Sequence, residues 1–185
     1  TAAALTLLGA GSFAAAADSY DVQGKDVLSA ATPQGNFNTL ARATEAWVKA
    51  GEVAGRFGLH YCIEPLSREQ TSVLNTVDEA LAIVEAAALP GLKTMLDTSS
   101  AGATESEPLP ALIDRVWPTG QLVHVQLNDR NRRGPGQGED RFAPILAALQ
   151  RQGYGGWLAM EPFDYVPDGP GCAAYSIGYV RGLLQ

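Results

Sequence analysis

Three carboxylates and an amide stand at the ends of apolar runs at nearly regular spacing. Leu59-His-Tyr-Cys-Ile closes on Glu64-Pro65, Leu92-Lys-Thr-Met-Leu closes on Asp97-Thr98, and Trp157-Leu-Ala-Met closes on Glu161-Pro162. Between the last two, Leu122-Val-His-Val-Gln-Leu turns polar at Asn128 and breaks at Gly134-Pro135-Gly136 and Gly138, the pattern of a buried strand emptying into a loop. Side chains alternate along a strand, so His124, Gln126 and Asn128 share a face, and three polar groups on an otherwise apolar strand are costly unless something binds them. From Glu64 to Asp97 to Gln126 to Glu161 the intervals are 33, 29 and 35 residues, close to the roughly 30 residues of one strand with its crossover helix. Successive parallel strands would then each deliver one polar group at the C-terminal end, where barrels and open α/β sheets place their chemistry.

The segments that must position these tips read as helices. Thr76-Val77-Asp78-Glu79 is a capping box, and the helix it opens stays apolar through Leu81, Ile83, Val84 and Ala86 to Ala88 before Pro90-Gly91 stops it. Leu109, Leu112, Ile113 and Val116 form a short amphipathic helix after Pro108; Phe142, Ile145, Leu146 and Leu149 form another, ended by Gly153. Upstream, Leu40, Ala43, Trp47, Ala50, Ala54 and Phe57 recur at three and four from Thr39 to a stop at Gly58. Strand and helix alternate as in a parallel α/β protein.

Composition sets the outer limits. With 185 residues, 46% hydrophobic and 18% charged, the chain can bury one sizeable core, and no segment is long and apolar enough to cross a membrane. A net charge of −7 argues against a nucleic-acid partner, which wants a basic face; Arg130 and Arg133 read as solvated loop charges. Cys62 and Cys172 read as two free thiols of a cytoplasmic protein. Residues 1–36 are the least legible: Thr1 to Gly9 with Phe13 to Ala17 fits either a secretory apolar region without its basic flank or a short helix and loop. A single domain over 1–185 is expected, with the βα units in 37–185.

Each residue also has a plainer reading. Glu64 and Glu161 could be solvated turn carboxylates before proline, and Asp97 could merely cap the turn of Thr98, Ser99 and Ser100. His60 and His124 read as satisfied core histidines, and Gly134 to Gly138 as a flexible connection without the Lys-Ser/Thr of a phosphate loop. Four polar tips on consecutive strands favour a shared site over these readings. Asn75 and Arg68, after Glu64, are candidate substrate-side residues.

Taken together, Ile63-Glu64-Pro65-Leu66, Val73-Leu74-Asn75-Thr76, Leu96-Asp97-Thr98, His124-Val125-Gln126-Leu127, Asn131-Arg132, Gly134 to Gly138 and Met160-Glu161-Pro162-Phe163 resemble, in order and spacing, the xylose-isomerase-like TIM-barrel superfamily, nearest its sugar phosphate isomerase/epimerases, ketose 3-epimerases and hydroxypyruvate isomerases. The resemblance covers about residues 40–185. It implies a divalent metal on Glu64, Asp97, Gln126 and Glu161, with Glu64 and Glu161 as the acid–base pair and Arg132 holding a substrate oxygen; His124, Asn128 and Ser100 are further substrate-binding candidates. Gln126 and Ser100 stand where that family usually carries histidine. An all-oxygen set suits Mg²⁺ or Mn²⁺, with Co²⁺ a further candidate. Such an ion acidifies the carbon beside a ketose carbonyl and stabilises the enediolate, and two glutamates on opposite faces can remove and return the proton. The expected activity is therefore metal-dependent sugar or sugar-phosphate isomerisation or epimerisation on a small carbohydrate, with two alternatives: a metal-dependent lyase or deglycosidase of an oxidised sugar, or a non-catalytic sugar-binding barrel.

A closed eight-stranded barrel takes about 250 residues, and the four legible strands would be its last four. The expected fold is thus an α/β, TIM-barrel-type structure with the C-terminal half and a short N-terminal part. It is either a piece of a longer protein or an open sheet that closes against another copy as a homo-oligomer.

Overall fold

The structure, a computed structural model, describes residues 33–185, so the expectations for 1–32 lie outside the described residues. It begins with helix α1 (Pro33–Arg56), which starts earlier than the apolar period suggested, and continues with strand β1 (Tyr61–Ile63), α2 (Val77–Ala87) and β2 (Leu92–Asp97). Then come α3 (Thr98–Thr104), α4 (Leu109–Val116), β3 (Leu122–Gln126), α5 (Phe142–Arg151), β4 (Leu158–Ala159) and α6 (Gly169–Leu183). The four strands lie in chain order, every neighbouring pair parallel. A four-stranded parallel row in chain order, with one open edge at β1 and one at β4 among the described residues, is consistent with part of an eight-stranded barrel.

Local signals explain the elements. α1 ends as expected at Gly58, whose φ of 67° suits glycine, and Leu59 N–H reaches back to the Ala54 carbonyl at 2.9 Å. The capping box at α2 is complete: Thr76 accepts from Glu79 N–H, and the Glu79 carboxylate accepts from Thr76 N–H. Two helices were not anticipated. α3 hangs directly on the last residue of β2, with Asp97 Oδ1 accepting from Ser99 N–H at 2.7 Å; α6 is glycine-rich, yet opens on Asp168, which accepts from Gly171 N–H at 2.7 Å.

The helices cover one face of the sheet. Ile63, Leu92, Leu96, Leu122, Val125 and Leu127 meet Val84, Leu112, Ile113, Ile145 and Leu146 in one cluster. Strict alternation would put Leu122 on the same face as Gln126, but the register steps from Thr94↔Leu122 to Met95↔His124, skipping Val123. This irregularity keeps Leu122 in the core while turning His124 and Gln126 to the opposite, concave face, beside Met95 and Asp97. Within the described residues no helix is long and apolar enough to cross a membrane.

α1 crosses β2 at its glycines. A Cβ on Gly51 would sit 2.6 Å from Leu92 Cβ, and Leu92 is wholly buried. Gly51→Ala should therefore lose about 1–3 kcal/mol of unfolding free energy through overpacking, outweighing the gain in helix propensity. Gly178→Ala, in α6 with nothing within 4 Å of the new methyl, should instead gain about 0.5–1 kcal/mol. Urea unfolding of the two variants checks both signs.

Candidate metal centre

The four strand tips converge on the concave face. Adjacent strands lie about 4.8 Å apart, so in a flat sheet β1 and β4 would stand roughly 14 Å from each other. Yet Glu64, Asp97 and Glu161 each offer an oxygen such that all three lie within 4.8 Å of one another. Sheet curvature closes the difference, gathering side chains from the first, second and fourth strands around one point. Gln126 comes from the third and is 4% exposed, and its amide favours the charged form of Glu161. Its Oε1 is buried without a partner.

The electrostatics follow from crowding without compensation. Burial pushes the Glu64 carboxyl up to about 8, and the charges of Asp97 and Glu161 push the same way. Burial lifts Asp97 to about 6 against backbone N–H groups of Ser99 and Ser100 and the Asn128 amide, which hold it down. Glu161 is also raised by burial, opposed by Gln126. Among the described residues, no lysine or arginine shifts any of the three. Three hard carboxylate oxygens and an orphaned amide oxygen, with no protein cation among them, fit a divalent ion.

Asn128 holds the arrangement together. It is 1% exposed; its Oδ1 accepts from Glu161 N–H at 2.7 Å and its Nδ2 lies 3.5 Å from both Asp97 oxygens. Its own N–H donates to Thr98 Oγ1, and its carbonyl accepts from that hydroxyl. Expected as a substrate-binding candidate, it forms a bracket between the Asp97 carboxylate and the backbone of Glu161. Ser100, 3% exposed, likewise gives its hydroxyl to Gln70 Oε1 at 3.1 Å rather than to the open side. Asn75 donates its amide nitrogen to the Leu66 and Thr71 carbonyls and accepts from Arg68 at 3.5 Å.

Two histidine expectations are corrected. His60 is exposed before β1, not in the core. His124 is half-buried below Gln126 with Nε2 unpartnered, because it faces the concave side, where no described helix packs; burial lowers its pKa.

The loop after β3 is pinned rather than loose. Gln137 donates from Nε2 to the Val166 carbonyl at 2.6 Å and accepts at Oε1 from Gly134 N–H and the Cys172 thiol. Tyr175 donates to the Gly136 carbonyl, and a Cβ on Gly136 would lie 2.6 Å from the Tyr179 ring. Arg130 pairs with Asp140 and Arg133 with Asp164, so neither is simply solvated; Cys62 and Cys172 are free thiols. Arg132 lies exposed on this loop with its guanidinium 4.8 Å over the Phe163 ring. The parts that sequence reasoning missed, the Asn128 bracket and the Gln137 anchor, depend on loop conformations with no periodic signal; Gly134-x-Gly136-x-Gly138 was the available hint of close backbone approach.

Comparison with known proteins places this geometry in context. Residues 8–181 match the model of the xylose isomerase-like TIM barrel family. Over 124 residues the chain is 34% identical to the D-psicose 3-epimerase of Agrobacterium fabrum, covering 66% of this chain and 42% of that protein. Over 123 residues it is 30% identical to the D-psicose 3-epimerase of Ruminiclostridium cellulolyticum, covering 66% and 41%. The chain thus spans about two-fifths of the length of these curated relatives. A crystal structure of a D-psicose 3-epimerase in the presence of D-fructose superposes with a TM-score of 0.73 at 26% identity, covering 85% of this chain and 61% of that one.

The raised carboxyls make a prediction for the metal-free protein. Glu64 titrates at about 8 against its usual 4.5, and Asp97 at about 6 against 3.8. Folding therefore favours the protonated forms: their contribution is complete below the unfolded values and is lost as pH rises through the folded ones. After chelation the Tm should fall between pH 5 and pH 8.5, and Glu64→Gln should flatten that slope. A wild-type Tm that rises over this range would refute the assignment.

Proposed function

The chain belongs to the xylose isomerase-like TIM-barrel family, and within it we propose that this chain carries the metal-binding and proton-transfer groups of a sugar isomerase/epimerase acting on a ketose. The observation that carries the reading is the meeting of Glu64, Asp97 and Glu161 within 4.8 Å beside the unpartnered oxygen of Gln126. These four would hold the ion, and their all-oxygen chemistry favours Mg²⁺ or Mn²⁺ over Co²⁺. When bound, the ion supplies Lewis-acid polarisation that acidifies the C–H next to the sugar carbonyl.

The protein's own groups do the rest. Glu64 and Glu161 come from the two outer strands of the row, so they address a sugar lying over Asp97 and Gln126 from opposite sides. One carboxylate takes the proton from the carbon, and the other returns a proton to the opposite face, which inverts that centre. Arg132 holds a sugar oxygen from the loop above. The names of the relatives, D-psicose 3-epimerases, support a ketose as the substrate class.

The test is metal content and ketose exchange on the full chain. Wild type should bind one Mn²⁺ or Mg²⁺ and incorporate solvent deuterium at the carbon next to the ketose carbonyl. Glu161→Gln should lose exchange by about 10²–10⁴-fold. Asn128→Ala, which frees Asp97 and Glu161 from their bracket, should weaken Mn²⁺ binding by about 10–100-fold. A folded wild type without stoichiometric metal sinks the reading, and metal binding without exchange points to a sugar-binding barrel.

A further inference from the structure

Arg132 has a left-handed backbone, with φ of 68°, a region costly for a side chain with a Cβ and sustained only where the surroundings over-determine it. Here they do. Its N–H donates to the Asp129 carbonyl at 2.9 Å, and its own carbonyl accepts from both Phe163 N–H at 2.9 Å and Asp164 N–H at 3.0 Å. Its neighbour Arg133 pairs with Asp164 at 2.7 Å, and Gln137 donates to the Val166 carbonyl at 2.6 Å. The loop after β3 is thus locked, residue against residue, to the segment that follows Glu161.

At the head of this lock the Arg132 guanidinium lies 4.8 Å over the centre of the Phe163 ring. None of the ion pairs found among the described residues involves Arg132, although Arg115, Arg130, Arg133 and Arg151 all have carboxylate partners. Phe163 in turn is 50% exposed, two residues beyond Glu161, an apolar ring that the core does not use. An aromatic face fixes the plane of a guanidinium while leaving its N–H edges open, unlike a carboxylate, which would occupy them.

We propose that Phe163 is a positioning residue for Arg132, holding the guanidinium plane in place before the sugar arrives so that its N–H edge is free for a pair of sugar oxygens. The contact to sugar rests on the function proposed above; the ordering of Arg132 by Phe163 does not. The backbone strain of Arg132 is met once, in folding, and its side-chain freedom is already curtailed when substrate binds.

The experiment compares wild type, Phe163→Leu and Phe163→Tyr in the full chain. In the sugar-free protein, the Arg132 Nε–Hε resonance, assigned by its loss in Arg132→Lys, should be ring-current shifted and ordered in wild type and in Phe163→Tyr. In Phe163→Leu it should become mobile and unshifted. With ketose, Phe163→Leu should raise KM by about tenfold, the scale of one stacked guanidinium, with kcat and Mn²⁺ affinity little changed and Phe163→Tyr restoring KM. An Arg132 resonance as ordered in Phe163→Leu as in wild type overturns the proposal, and so does a Phe163→Tyr variant that behaves like Phe163→Leu. If wild type proves inactive on ketoses, the resonance alone decides whether Phe163 positions Arg132.

Discussion

Like charges gathered in a half-buried hollow are the constraint that the rest of this structure answers to. Glu64, Asp97 and Glu161 repel one another and lose hydration where they meet, and both effects raise Glu64. Among the described residues, no lysine or arginine relieves this. The fold holds the carboxylates by neutral groups: helix-terminal N–H groups on Asp97, and amides from Gln126 and Asn128 on Glu161 and Asp97. Neutral dipoles fix position without cancelling charge, so the hollow keeps its appetite for a cation.

That solution dictates local structure some distance away. Asn128 can bridge Asp97 and Glu161 only because β3 lies between β2 and β4, and Gln126 faces the hollow only because β3 skips Val123 in its register with β2. The same irregularity lets Leu122 stay in the helix-facing core. One displaced residue thus reconciles an apolar strand start with a polar strand end. α3, capped by Asp97 itself, makes a carboxylate serve both as helix terminus and as a member of the cluster.

The strand tips were legible because an apolar run that stops on a carboxylate before proline or threonine is a pattern of chemistry as well as of shape. The capping box of α2 and the glycine stop of α1 were legible because single residues decide them. α6 was not, since its glycines erase helix propensity and its one local signal is Asp168 with Pro170 two residues on. The partners of Asn128 and Ser100 were not legible, because residue type told that they were polar, whereas only the turn of the backbone told which partner each amide or hydroxyl takes. The same is true of Gln137, two of whose side-chain partners, Val166 and Cys172, lie about thirty residues further on.

The row β1-β2-β3-β4 carries every clustered side chain between residues 64 and 161, in sequence order and on neighbouring strands. The geometry of such a site is set within one continuous run of the chain. A change elsewhere in the chain leaves the spacing of the four groups untouched, whereas one residue inserted between 64 and 161 would shift a single tip against the other three.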